Sequence, residues 1–235
     1  MPQISVNGLD AYYGDEGTGI PVVLGHSSAA SSGQWRDLIK RMSGRYRLVA
    51  PDHIGYGRTA AYSGDIPLME HEIAIVEALV RLISQPVHMV GHSFGGAVLA
   101  RVAVRKPEQV RSLTLFEPAL FYLLAASGRL SEHAEIKAVA DRVIRYIGEN
   151  DADEAARTFT EYWVGLGAYD AMDPRSRETV RTSIAKLPVE WPTGFEPYEA
   201  TVEALSGFKM PIQLIGVHGR QPPQGPSQTC CAASG

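Results

Sequence analysis

The segment Val87-His88-Met89-Val90-Gly91-His92-Ser93-Phe94-Gly95-Gly96 runs from an apolar stretch into a glycine, a serine and two further glycines. Ala97 to Val102 then reads as helix. A strand, a sharp turn and a helix follow one another, with Ser93 at the apex. The spacing has a steric reason: Gly91 and Gly95 must lack a Cβ for the strand to turn into the helix without collision. The hydroxyl of Ser93 is thereby lifted to the C-terminal edge of a sheet, beside helix N–H groups that favour developing negative charge. A Gly/Ser-rich turn of no chemical consequence is the competing reading. The strand before and the helix after favour the nucleophile.

The rest of the chain fits a sheet of this kind. Asn7-Gly8 joins two β-forming runs, Gln3 to Val6 and Leu9 to Tyr13, as a two-residue hairpin turn. Ile20 to Leu24 has the continuous apolar character of a strand buried on both faces. Ser31 and Gln34 have capping-box spacing, which predicts a helix start near Ser32 carrying Trp35, Leu38, Ile39 and Met42 on one face. Tyr46 to Ala50 reads as strand and Met69 to Ile83 as an amphipathic helix. The elbow helix ends before Pro107, and Ser112 to Pro118 is a further strand. Helical patterns fill the next stretch, and Pro211 to Val217 returns to strand. Alternating strands and helices predict an α/β fold, a mostly parallel sheet covered by helices on both faces. The expected division is a core over 1–118, a helical cap over 119–206, a last core strand within 207–218, and a disordered or aberrant tail over 219–235.

Composition narrows the function. The 235 residues are 45% hydrophobic and 20% charged, with a formal net charge of −4 and no long basic run, so nucleic-acid binding is not expected. Residues 1–7 carry no secretory pattern and no apolar segment reaches membrane-spanning length, so a cytoplasmic location is expected without membrane association. The two cysteines, Cys230 and Cys231, are adjacent and give neither a disulfide framework nor a zinc site. No metal, nucleotide or flavin site is legible, and oligomeric state is not readable.

In combination, three motifs resemble those of α/β-hydrolase-fold serine hydrolases of the esterase, haloperoxidase-like and C–C hydrolase group. They are the elbow Gly91-His92-Ser93-Phe94-Gly95-Gly96, the pair His26-Ser27 where that family usually has His-Gly, and Pro51-Asp52-His53-Ile54-Gly55-Tyr56-Gly57-Arg58-Thr59. The resemblance implies an oxyanion hole made by the backbone N–H groups of Phe94 and Ser28. Ser27 at a glycine position changes the approach of that loop, and a polar loop leading to a helix cap is the plainer reading of Ser27-Ser28. His26 is expected to be a hydrogen-bonded supporting residue. The His92 side chain is expected to point away from Ser93, and Asp52 to tie its own loop.

The resemblance also implies an acid and a base following the serine in chain order. Ile215-Gly216-Val217-His218-Gly219-Arg220 contains no carboxylate. Glu117, at the end of an apolar strand, occupies the other position relatives use and is the candidate acid; a loop-stabilising or cap-anchoring carboxylate is the alternative. No catalytic histidine is identified. After Glu117 only His133 and His218 occur. His133 falls in a cap helix as a solvent-facing residue, and His218 follows its strand at once. The Pro/Gly/Ser/Gln-rich residues 219–235 suggest a truncated or frame-shifted product lacking a last strand, the histidine and a closing helix, with impaired activity.

The expectation is therefore a serine hydrolase cleaving a small carboxylic ester, with Phe94, Phe121, Tyr122, Leu123 and Leu124 lining an apolar pocket. C–C bond hydrolysis on the same fold is one alternative. A non-catalytic small-molecule binder is the other.

Overall fold

The computed structural model describes residues 2–216. Expectations for His218, the tail 219–235 and the two cysteines lie outside the described residues. Among the described residues seven strands form the sheet: β1 (Gln3–Val6), β2 (Leu9–Glu16), β3 (Ile20–Gly25), β4 (Tyr46–Pro51), β5 (Val87–His92), β6 (Val110–Phe116) and β7 (Ile212–Ile215). Their order is β1-β2-β4-β3-β5-β6-β7. The β1–β2 and β2–β4 pairs are antiparallel and every other pair is parallel. The sheet is thus mostly parallel, as the alternation of strands and helices predicts. Asn7 and Gly8 have φ of 52° and 82°, the two positive values that a tight hairpin turn of this twist requires.

Helices α1 (Arg36–Met42), α2 (Leu68–Ile83) and α3 (Ser93–Arg105) flank the first strands. Ile73, Val76, Leu79, Val80 and Ile83 of α2 are all buried in the main core with the interior of α3. Each contributes about 1.5–3 kcal/mol of gross burial free energy, most of it offset by chain entropy. Val22, Leu24, Ile39, Leu48 and Ala50 form a smaller cluster on the other face of the sheet.

The capping box is not formed. Ser31 caps a 3₁₀ turn, Ser32–Trp35, by accepting from the Gly33 N–H, and Gln34 turns instead to Ser27. α1 starts only at Arg36, because the tighter turn precedes it. β2 continues past Tyr13 through Asp15 and Glu16, since both residues pair with β4.

Between β6 and β7 the chain is helical: α4 (Tyr122–Ala126), α5 (Leu130–Gly148), α6 (Ala152–Val164), α7 (Ala168–Ala171), α8 (Pro174–Ser183), α9 (Leu187–Glu190) and α10 (Val202–Ser206). Asp151 caps α6 by accepting from Glu154 N–H at 3.1 Å. This lobe has its own core, in which Val139, Val143, Ala155, Tyr169, Ile184 and Leu187 are buried. No helix among the described residues is long and apolar enough to cross a membrane.

Candidate active site

The elbow is built by close backbone approach. β5 hands directly to α3 at Ser93, whose φ is 50°. This left-handed conformation costs a non-glycine residue about 1–2 kcal/mol, so packing must impose it. A Cβ on Gly91 would lie 2.6 Å from the Gly96 Cα, and one on Gly95 2.3 Å from the Gly25 carbonyl carbon. Both neighbours are backbone, which cannot move aside. The steric reading of Gly91 and Gly95 therefore accounts for the turn.

Ser93 opens on a cavity of about 240 Å³. On its core side stand Ser27, Ser28, His92 and Glu117. Phe121, Phe159, Trp163 and Trp191 reach it from the segment after β6. Helix α3 and the segment after β6 are joined by the Ala119 N–H, which donates to the Ser93 carbonyl at 3.0 Å. Glu117, one residue past β6, has φ of 43°, and its N–H donates to the Ile215 carbonyl at 2.9 Å. The structure thus brings Ser93, Glu117, Ser27 and Ser28 to one hollow.

His26 is fully buried and does not line this cavity. Its Nδ1 donates to the Ser27 carbonyl at 2.8 Å, and its Nε2 accepts from the His53 N–H at 2.9 Å. Burial, then the neighbouring His53, holds its pKa well below the ordinary histidine value. With both ring nitrogens engaged, it braces the loop after β3. Asp52 ties two further segments, accepting from Ser32 N–H at 2.7 Å and Arg58 N–H at 3.0 Å.

Three expectations need correction. His92 does not turn from the site: it lines the same cavity as Ser93. Its ring rests on Phe116 at 4.9 Å, and its Nδ1 accepts from Gln34 Nε2 at 3.2 Å. Gln34 Oε1 in turn accepts from the Ser27 N–H and hydroxyl at 3.1 and 2.9 Å. The aromatic pocket also differs. The Phe94 ring is buried in the main core against His53 at 5.2 Å, and Tyr122 is buried with its hydroxyl on the Ala200 carbonyl. Leu123 packs on the main core. Of the five residues expected there, Phe121 lines the cavity. Phe159, Trp163 and Trp191 take the remaining places, because lobe packing, not proximity to the elbow in sequence, decides which rings face Ser93.

His133 is half-buried, edge-on to Phe195 at 5.6 Å, rather than solvent-facing. A larger groove of about 520 Å³ runs between α5 and α6, but its Arg157 is already paired with Glu154, Glu161 and Asp170. Among the described residues no three His, Cys, Asp or Glu side chains come together to hold a metal ion.

A strand order crossing at β4-β3-β5, a serine elbow after β5 and helices on both faces define a hydrolase architecture. Residues 20–199 match the α/β hydrolase fold family, and the chain belongs to it. It is 26% identical over 244 aligned positions to the 2-hydroxymuconate semialdehyde hydrolase of Pseudomonas sp. strain CF600, covering 97% of this chain and 79% of that one. It is 35% identical over 105 residues to haloalkane dehalogenase 2 of Mycobacterium tuberculosis, covering 44% and 37%. The chain spans less than half the length of several curated relatives it matches. An α/β hydrolase from Sphaerobacter thermophilus shares the fold with a TM-score of 0.70 at 18% identity, covering 94% and 83%.

Proposed function

We propose that this α/β hydrolase acts through Ser93 on a small, uncharged carboxylic ester. The observation that carries the reading is the left-handed backbone of Ser93 at the strand–helix junction, opening on a cavity that Glu117 also lines. Ser93 Oγ attacks the ester carbonyl carbon, and the N–H groups of Phe94 and Ser28 receive the oxyanion. Glu117 orients the histidine that takes the serine proton. No described residue is assigned that base: His26 has both nitrogens engaged and His133 stands against Phe195.

Aromatic walls and the absence of lysine or arginine among the described lining residues favour a neutral substrate. Hydrolysis of p-nitrophenyl acetate, lost in Ser93→Ala, is the expected result. An equal rate in the variant would remove the proposal. C–C bond hydrolysis is the second reading, supported by the match to the semialdehyde hydrolase along 97% of the chain. Loss of 2-hydroxymuconate semialdehyde absorbance with the ester untouched would favour it.

A further inference from the structure

Four ionisable side chains meet in a buried row beneath the oxyanion loop. His53 Nδ1 lies 2.8 Å from Glu72 Oε2. Glu72 Oε1 accepts from the Ile54 N–H at 2.9 Å and from Lys186 Nζ at 3.1 Å. Lys186 Nζ also lies 3.3 Å from Glu190 Oε2. Glu190 Oε1 accepts the hydroxyl proton of Ser28. The Lys186 ammonium stands over the Tyr56 ring at 4.4 Å and the Phe94 ring at 4.8 Å.

A Lys–Glu pair four residues apart ordinarily stays in water. Here Lys186 is 8% and Glu190 1% exposed, and Glu72 is 1% exposed. Taking such charges out of water costs more than well-packed apolar side chains would, so stability does not explain them. Their placement does. One lobe segment touches the side chains of both residues whose N–H groups form the oxyanion hole: Lys186 meets Phe94, and Glu190 meets Ser28.

We propose that Lys186 and Glu190 are positioning residues that set the two oxyanion N–H donors from within the helical lobe, an inference that rests on the serine-hydrolase reading. Lys186 is fixed from the core by Glu72, which His53 holds in turn. Seating the lobe brings this pair down on the core and orients Ser28 and Phe94 together.

The test uses the full chain and a fluorophosphonate, whose phosphoryl oxygen occupies the oxyanion position once Ser93 attacks. Ser28→Ala and Glu190→Gln are expected to slow labelling by about 10- to 100-fold with unchanged half-saturating probe concentration. Ser28→Thr, which keeps the hydroxyl, is expected to restore most of the rate. Glu190→Gln is also expected to speed amide hydrogen exchange in peptides spanning residues 26–31. Folded variants that label at the wild-type rate would overturn the proposal, since a merely structural pair would lower thermal stability alone. Ser28→Ala leaves the buried charges intact and decides the matter if Glu190→Gln does not fold. A folded wild-type protein that does not label would refute the Ser93 reading instead. Exchange then decides: faster exchange over 26–31 supports the positioning role, and unchanged exchange overturns it.

Discussion

The N–H of Gly95 donates to the carbonyl of His26 at 3.0 Å, tying the first turn of the elbow helix to the loop that follows β3. A methyl at Gly95 would lie 2.3 Å from the Gly25 carbonyl carbon and 2.5 Å from the His26 oxygen. Gly95→Ala is therefore expected to destabilise the protein by about 2–3 kcal/mol or more, from overpacking against backbone. The apparent melting temperature should fall by about 4–12 °C in a chain of this size. A variant melting with the wild type would mean that this approach is not rigid.

Ser93 separates backbone strain from chemistry. Both Ser93→Ala and Ser93→Gly remove the hydroxyl, yet glycine alone tolerates φ of 50° without cost. Left-handed strain of about 1–2 kcal/mol is relieved, and about 0.4–1 kcal/mol is returned as chain entropy in the unfolded state. The glycine variant should melt a few degrees above the alanine variant, with neither reacting with a serine probe. Equal melting temperatures would place the serine in an unstrained conformation.

Glu117→Gln keeps the size of the side chain and removes its charge. If Glu117 orients the base, p-nitrophenyl acetate turnover should fall at least 100-fold; the corresponding change in the reference serine proteases is about 10⁴. The melting temperature should hardly move. A lower melting temperature with full activity would assign Glu117 to its loop.

Glu72 sets an acid limit on stability. Burial alone would raise its carboxyl pKa, but Lys186 and His53 outweigh that and hold it below the ordinary glutamate value. Its folded-state pKa is depressed, so its contribution is complete above the unfolded value of about 4.3 and is lost as pH falls through the lower folded value. Glu72→Gln should cost about 1–3 kcal/mol at pH 7, because Lys186 loses its core partner and keeps only Glu190. The stability difference between wild type and variant should shrink as pH falls below the unfolded value of about 4.3 and fade once the folded carboxyl protonates. A pH-independent difference in urea unfolding would contradict this pairing.

What the sequence disclosed was local. Asn7-Gly8, the apolar run of β3 and the glycines about Ser93 each act on their immediate neighbours, so spacing alone reads them. Gln34 shows where that stops: its distance from Ser31 suits a capping box, yet Ser27 seven residues back and His92, far off in the chain, claim its amide. Phe159, Trp163 and Trp191 were equally hidden, because which ring of a helix meets the elbow depends on how the lobe packs. Lys186 and Glu190 look like a solvated helix pair until Glu72 of α2 is found beneath them. Glu117 was visible only as a carboxylate out of place at the end of an apolar strand.

The proposed chemistry requires the Ser93 hydroxyl to be an activated nucleophile facing the cavity. Incubation of the folded chain with a fluorophosphonate, followed by mass mapping of its peptides, tests it directly. A single adduct is expected on the peptide holding Ser93, absent from Ser93→Ala. Adduct on another serine, or none on protein shown to be folded, would contradict it.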